Sequence, residues 1–116
     1  MNDWTQRTEG IVYQRCSACS HVWYFRRSFC PRCGTTDVAA LQASGTGTIY
    51  AVTEVMRAPS EPLRAHAPYA IALVDMDEGF RMMAHVERGI DIGGRVRARF
   101  VAFGDGIVPQ FTRVLP

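Results

Sequence analysis

A mainly β chain is what this sequence predicts, with a small metal-stapled ribbon on the N-terminal side and a five-stranded barrel after it. Three observations predict it. The four cysteines among the 116 residues fall into two matched pairs, Cys16-Ser17-Ala18-Cys19 and Cys30-Pro31-Arg32-Cys33. From Gly45 onward, β-rich runs are separated by turns built on Gly, Pro and Asp. No segment signals a long helix.

Taken in order, Asp3 to Glu9 has room for one helical turn, and Ile11-Val12-Tyr13 leads into the first cysteine pair. Each Cys-x-x-Cys fits one tight turn with both sulfurs aimed at a common point, and the ten residues between the pairs suffice for a hairpin that brings the turns together. Cys16, Cys19, Cys30 and Cys33 are therefore expected to ligate one Zn2+. Four sulfurs complete a tetrahedron and leave no position for substrate or a reactive water, so the expected role is structural. Iron in a rubredoxin-like site is the second reading, and disulfide or redox use the third. Met1 to Arg7 lacks the apolar stretch and cleavage site of a signal peptide, which points to a reducing, cytoplasmic setting and against disulfides. Neither pair has the strand and helix around it that a thioredoxin-type dithiol needs.

The hairpin between the pairs carries Trp23-Tyr24-Phe25-Arg26-Arg27-Ser28-Phe29, more apolar surface than so small a ribbon can bury alone. Packing against the barrel is the expected outcome, and a docking surface for another subunit is the alternative. Organisation changes near Leu41, which divides the chain into residues 1–40, a short N-terminal segment and the ribbon, and residues 41–116, the barrel.

Gly45 to Met56 is a long β-rich run with weak contrast between its faces, as in a strand covered on both sides or strongly curved. Ala58 to Pro68 holds three prolines in eleven residues and is expected to be a loop. Tyr69 to Asp75 is an apolar strand that Asp77-Glu78-Gly79 turns into Phe80 to His85. Glu87 to Gly94 is a break, Gly94 to Phe103 a strand, Gly104-Asp105-Gly106 a turn, and Ile107 to Leu115 the last strand. Five strands with no long helix suit closure, because open edges on so short a sheet invite aggregation. The OB-fold fits the count, and an SH3-like barrel is its rival.

On Gly94 to Phe103, strand alternation puts Val96, Ala98 and Phe100 on one face and Arg95, Arg97 and Arg99 on the other. Three guanidinium forks in a row are candidate contacts for phosphate or carboxylate. A solvated outer face with protective edge charges is the alternative reading. All thirteen basic residues are arginine, a preference that reflects genome composition more than any one site.

The formal net charge is +2. Four thiolates and one divalent cation together remove about two charges, so the metal-bound chain is near neutral and its charge predicts no nucleic-acid partner. No run approaches the roughly 18 apolar residues that span a bilayer. Catalysis has little support. Every cysteine is committed to metal, and His21, His66 and His85 lack the spacing of a ligand set or triad. His21 is expected to orient a turn, His66 to lie in the proline-rich loop, and His85 to end a hairpin strand. Asp75, Asp77 and Glu78 cluster at a turn as solvated carboxylates do. Gly45-Thr46-Gly47 opens a strand and lacks the Lys of a phosphate loop. No enzymatic activity is expected.

The order Cys-x-x-Cys, ten residues, Cys30-Pro31-x-Cys33-Gly34-x-x-Asp37, then Gly45-x-Gly47-x-Ile49-Tyr50, Pro68-Tyr69 through Asp77-Glu78-Gly79, Gly93-x-Arg95-Val96 and Pro109-Gln110-Phe111 resembles an acyl-CoA-associated family, long catalogued as domain of unknown function thirty-five. The resemblance implies a mainly β fold, an N-terminal rubredoxin-like zinc ribbon followed by a five-stranded OB-fold barrel. It implies a non-catalytic, acyl-CoA-binding accessory or scaffold subunit of a thiolase-superfamily enzyme (thiolase, acyltransferase, aldolase or synthase), bridging subunits and helping to form the channel for CoA or the acyl substrate. The partners implied are that enzyme and acyl-CoA, and CoA phosphates make Arg95, Arg97 and Arg99 sharper candidates. A single-stranded nucleic-acid binder with a structural ribbon is the alternative, since both folds serve that use. Two departures stand out. Relatives often have Gly where this chain has Ser20, which a knuckle tolerates if the backbone stays out of the left-handed region, and they usually carry a longer helical stretch before the first cysteine.

Overall fold

The computed structural model describes residues 2–56 and 69–114. The proline-rich segment 58–68, with His66, lies outside the described residues. A 3-10 turn, Trp4–Gln6, opens the chain. Asp3 caps it, taking the amide of Thr5, while the Asp3 amide donates to Gln6 Oε1 at 2.9 Å. The expected single helical turn is present in this form. Three strands follow, β1 (Val12–Cys16), β2 (Val22–Trp23) and β3 (Val38–Gln42), paired antiparallel in the order β2-β1-β3. β3 runs across the expected 40/41 junction, and pairing from Val12↔Gln42 to Cys16↔Val38 fastens it to β1.

Five further strands, β4 (Thr46–Val55), β5 (Tyr69–Met76), β6 (Arg81–Val86), β7 (Arg95–Phe103) and β8 (Gly106–Arg113), close a barrel in the order β4-β5-β6-β8-β7. Its one parallel pairing joins β6 to β8 through His85↔Gln110 and Val86↔Phe111. That order and that parallel pair are the OB-fold topology, which settles the choice against the SH3-like barrel. The weak facial contrast of β4 has a geometric cause. Thr46 to Thr48 pair with β7, Gly47 and Thr48 pair with β5 as well, and a register shift between Ile49 and Ala51 bends the rest along β5 alone. No helix among the described residues is long and apolar enough to cross a membrane.

The barrel interior is filled from alternate strand positions, as the pleat requires: Ala70, Ala72, Val74 and Met76 from β5, Met82, Ala84 and Val86 from β6, with Ile49, Val96 and Phe111. Ile11 is buried in the same cluster, and Trp4, Tyr13, Val22 and Tyr24 pack against it, so ribbon and barrel share one core. At Gly47 the adjoining strand leaves no room for a side chain. A Cβ there would stand 2.7 Å from the Asp75 carbonyl oxygen and 2.8 Å from Val74 Cγ1, both on the adjoining strand. Backbone cannot yield as a side-chain tip can, so Gly47→Ala is expected to cost about 1–3 kcal/mol in chemical denaturation.

Candidate metal centre and the surfaces around it

The two cysteine pairs build the same turn twice. In the first, the amides of Ala18 and Cys19 donate to Cys16 Sγ, each at 3.3 Å, and the Ser20 amide donates to the Cys16 carbonyl at 3.0 Å. In the second, the amides of Arg32 and Cys33 donate to Cys30 Sγ at 3.3 and 3.4 Å, and the Gly34 amide to the Cys30 carbonyl at 2.9 Å. The hairpin sets the turns face to face, with Cys16 Sγ 3.5 Å from Cys33 Sγ and Cys19 Sγ 3.7 Å from Cys30 Sγ. All four sulfurs lie within 4.8 Å of one another. Bonds of about 2.3 Å from a tetrahedral zinc place its sulfurs about 3.8 Å apart, so the set fits that ion.

Charge is already arranged for a cation. The Cys19 amide, with that of Ala18, lowers the Cys16 thiol against the effect of burial. Burial pushes Cys30 up, but the Cys33 and Arg32 amides and neighbouring thiols outweigh it and bring it down to about 6. The Thr35 amide works to lower Cys33, yet the crowding of Cys16 and the other sulfurs pushes it up to about 12. Four close sulfurs resist carrying four negative charges, and a divalent cation relieves that conflict.

Duplication of the turn corrects one expectation. Ser20 occupies the place of Gly34 and takes the same left-handed conformation, φ 65° beside φ 83°. The backbone does not stay out of that region, because the hydrogen bond back to the Cys16 carbonyl requires it. Ser20→Gly relieves the strain but adds freedom to the unfolded chain, and a net gain of about 0.5–1 kcal/mol is expected in thermal or denaturant unfolding.

Beyond the sulfurs, the aromatic run divides. Trp23 is buried, stacked on His21 with centroids 5.6 Å apart, and Tyr24 lies flat on Phe80 at 5.6 Å and 8°. Phe80 also stacks on Tyr13 at 5.0 Å, so one barrel ring is held between two ribbon rings. Trp4 Nε1 donates to the Tyr24 hydroxyl at 2.7 Å, and burial raises that phenol. Phe25 and Phe29 stay out, 78% and 46% exposed. Gln14 fixes their turn: its Oε1 accepts from Trp23 Nε1 and from the Arg27 amide, both at 2.7 Å, and its Nε2 donates to the Arg27 carbonyl. Neither Gln14 nor Phe80 was signalled by the sequence, since both act through partners distant along the chain.

Arg95, Arg97 and Arg99 share one exposed face of β7, as alternation requires. They differ in what holds them. Arg95 grips Asp77 through Nη1 and Nη2 at 2.7 and 2.8 Å, and this pairing, with the Thr46 hydroxyl, holds the Asp77 carboxyl down at about 2. Arg99 donates twice to Gln110 Oε1, and Arg97 has no side-chain partner among the described residues. The turn carboxylates are therefore engaged rather than simply solvated. Asp75 pairs with Arg81 at 2.6 Å, and Glu78 Oε2 takes the Ser44 amide at 2.7 Å. His21 orients its turn through its carbonyl, which accepts from the Cys16 amide. His85, next to last in β6, lies between Tyr69 and Phe103.

Comparison with known proteins places this arrangement. The family model described as the ChsH2 rubredoxin-like zinc ribbon domain matches residues 4–39, and that described as the ChsH2 C-terminal OB-fold domain matches residues 41–101. A DUF35 domain-containing scaffold protein of Methanocaldococcus jannaschii is 32% identical over 78% of this chain and 67% of its own length. A probable enoyl-CoA hydratase alpha subunit of Thermomonospora curvata is 36% identical over 66% of this chain, a match that spans only 23% of that protein. A solved structure titled Ltp2-ChsH2(DUF35) aldolase superposes with a TM-score of 0.78 at 29% identity, covering 91% of this chain and 86% of that one.

Proposed function

The chain belongs to the ChsH2, or DUF35, family, in which a rubredoxin-like zinc ribbon is joined to an OB-fold, and from that premise we propose that it is a non-catalytic accessory subunit of an acyl-CoA enzyme. In this reading the partner is a thiolase-superfamily enzyme (thiolase, acyltransferase, aldolase or synthase). The chain bridges its subunits and helps to form the channel for CoA and the acyl group. The observation that carries the reading is the exposure of Phe25 and Phe29 on a hairpin that the metal turns and Gln14 hold rigid. An ordered aromatic left in water is poor use of apolar surface unless a second surface covers it, and aromatic anchors are the side chains that interfaces favour. Relatives named as scaffold proteins, and one solved as part of an aldolase, support it.

Division of labour follows. Residues 1–40 form the zinc-held docking unit, with Cys16, Cys19, Cys30 and Cys33 as ligands and its strand β3 reaching on to Gln42, and residues 41–116 otherwise the barrel that carries it. On β7, Arg97 and Arg99 are the better candidates for CoA phosphates than Arg95, whose fork Asp77 occupies. The experiment is co-expression of the tagged chain with the enzyme encoded beside it. Co-elution of that enzyme, with acyl-CoA turnover raised by the complex, is expected. Tight, salt-sensitive oligonucleotide binding without any such partner would sink the proposal and favour the nucleic-acid reading.

A further inference from the structure

Between the ribbon hairpin and the β5–β6 turn lies a cleft of about 310 Å³, lined among others by Trp23, Tyr24, Phe25, Arg27, Phe80 and Arg81. We propose that this cleft is a nucleotide subsite, in which Phe25 stacks on the base and Arg27 contacts phosphate. The proposal rests on the accessory-subunit reading for its ligand, the phosphorylated nucleotide end of the acyl carrier.

Shape, apolarity and charge point the same way. The volume is at the low end of the roughly 300–1,000 Å³ typical of ligand sites, enough for one ring and a neighbouring phosphate but not for a whole carrier. The polar tips of two wall residues are used elsewhere, Trp23 Nε1 on Gln14 and the Tyr24 hydroxyl by Trp4, which leaves ring surface for the cleft. Trp23 and Phe80 already stack within the protein, whereas Phe25 meets only the Tyr24 ring, tilted at 5.4 Å, and is otherwise largely exposed. None of the lining residues is acidic, and the nearby Asp75 carboxylate is neutralised by Arg81. The Arg27 guanidinium has no partner among the described residues, although its own backbone is held on both sides by Gln14. That combination gives a fixed anchor and an uncommitted cation. Arg81, also in the lining, is already committed, gripped by Asp75 and lying 3.5 Å over the Tyr50 ring, which leaves Arg27 as the cation for the ligand. An arginine fork beside an aromatic face is what recognises a base and its phosphate together.

The β7 arginines have no uncommitted ring directly across from them. They are opposite Thr48, Thr46, Thr112 and Gln110, none of them able to stack on a base. That face can hold phosphate, while the Phe103 ring on the same alternation is already packed on His85, centroids 5.0 Å apart. Single-stranded nucleic acid offers the same base and phosphate, yet it calls for a succession of stacking rings along a strand rather than one cleft.

The test uses the zinc-loaded full chain, labelled with nitrogen-15, and adenosine 3′,5′-bisphosphate as the probe. Saturable amide shifts are expected at Phe25, Arg27 and Gly79, with a dissociation constant on the order of 1 mM or tighter. Phe25→Ala and Arg27→Glu should each weaken binding at least about tenfold while leaving the rest of the spectrum in place, since both side chains are exposed. Absence of saturable shifts, or shifts confined to β7, overturns the cleft. So does an oligo-dT bound more than about tenfold tighter than the bisphosphate. The two readings fail separately. If the enzyme co-elutes but the probe does not bind here, the cleft falls and the accessory role stands; binding here without such a partner leaves the cleft and removes that role.

Discussion

Cys30→Ser is expected to release the metal and unfold the ribbon while the barrel strands persist. Cys30 is fully buried, its sulfur takes two backbone amides, and it lies 3.7 Å from Cys19 Sγ. A serine hydroxyl is a poor zinc ligand where the other three are sulfur. At its metal end, away from the junction with the barrel, the ribbon has little else to hold it. Its own buried cluster is Cys16, Trp23 and Cys30 with Val38 against them, so the metal site is the greater part of its core. Structural zinc contributes about 10–16 kcal/mol in zinc-finger peptides, against about 5–15 kcal/mol for the whole stability of an ordinary domain. Metal analysis should fall from about one zinc per chain to near none. Amide exchange should accelerate across β1, β2 and the hairpin, and remain slow in β5 and β6.

Phe80→Ala should do the opposite, keeping zinc while freeing the ribbon from the barrel. The ring is buried between Tyr13 and Tyr24, with centroids 5.0 and 5.6 Å away and both planes nearly parallel to its own. Removing a buried Phe costs about 3–5 kcal/mol, and the two ring contacts place this site toward the upper part of that range. Denaturant unfolding should shift by that amount with the metal content unchanged. A variant that lost zinc as readily as Cys30→Ser would show that the junction and the metal site are not separable, contrary to this expectation.

Much of this architecture was legible because its causes are local. Cys-x-x-Cys spacing fixes where sulfurs can meet, and alternation along β5, β6 and β7 follows the pleat. The face bearing Arg95, Arg97 and Arg99 could be read in the same way. What could not be read depends on partners far along the chain. Val38-Ala39-Ala40-Leu41-Gln42 has too little contrast to announce a strand, and it becomes one because β1 offers it an edge. Ser20 looked compatible with a relaxed turn, whereas the hydrogen bond that closes the knuckle puts it where Gly34 is in the other. Asp77 takes Arg95 out of the arginine row across the barrel, and no pattern within β7 reveals that. Gln14 reads as a surface polar residue, yet it sets the hairpin on which Phe25 and Arg27 stand.

Metal, hairpin and docking form one chain of cause in this account: zinc shapes the ribbon, the ribbon presents the aromatic hairpin, and the hairpin engages the acyl-CoA enzyme. The direct measurement is affinity for the co-expressed enzyme, made on zinc-loaded protein, after metal removal by a chelator, and after zinc is restored. Binding should be lost with the metal and recovered on its return. Enzyme binding that persists unchanged in metal-free protein, with Phe25 and Phe29 no longer ordered, would contradict it.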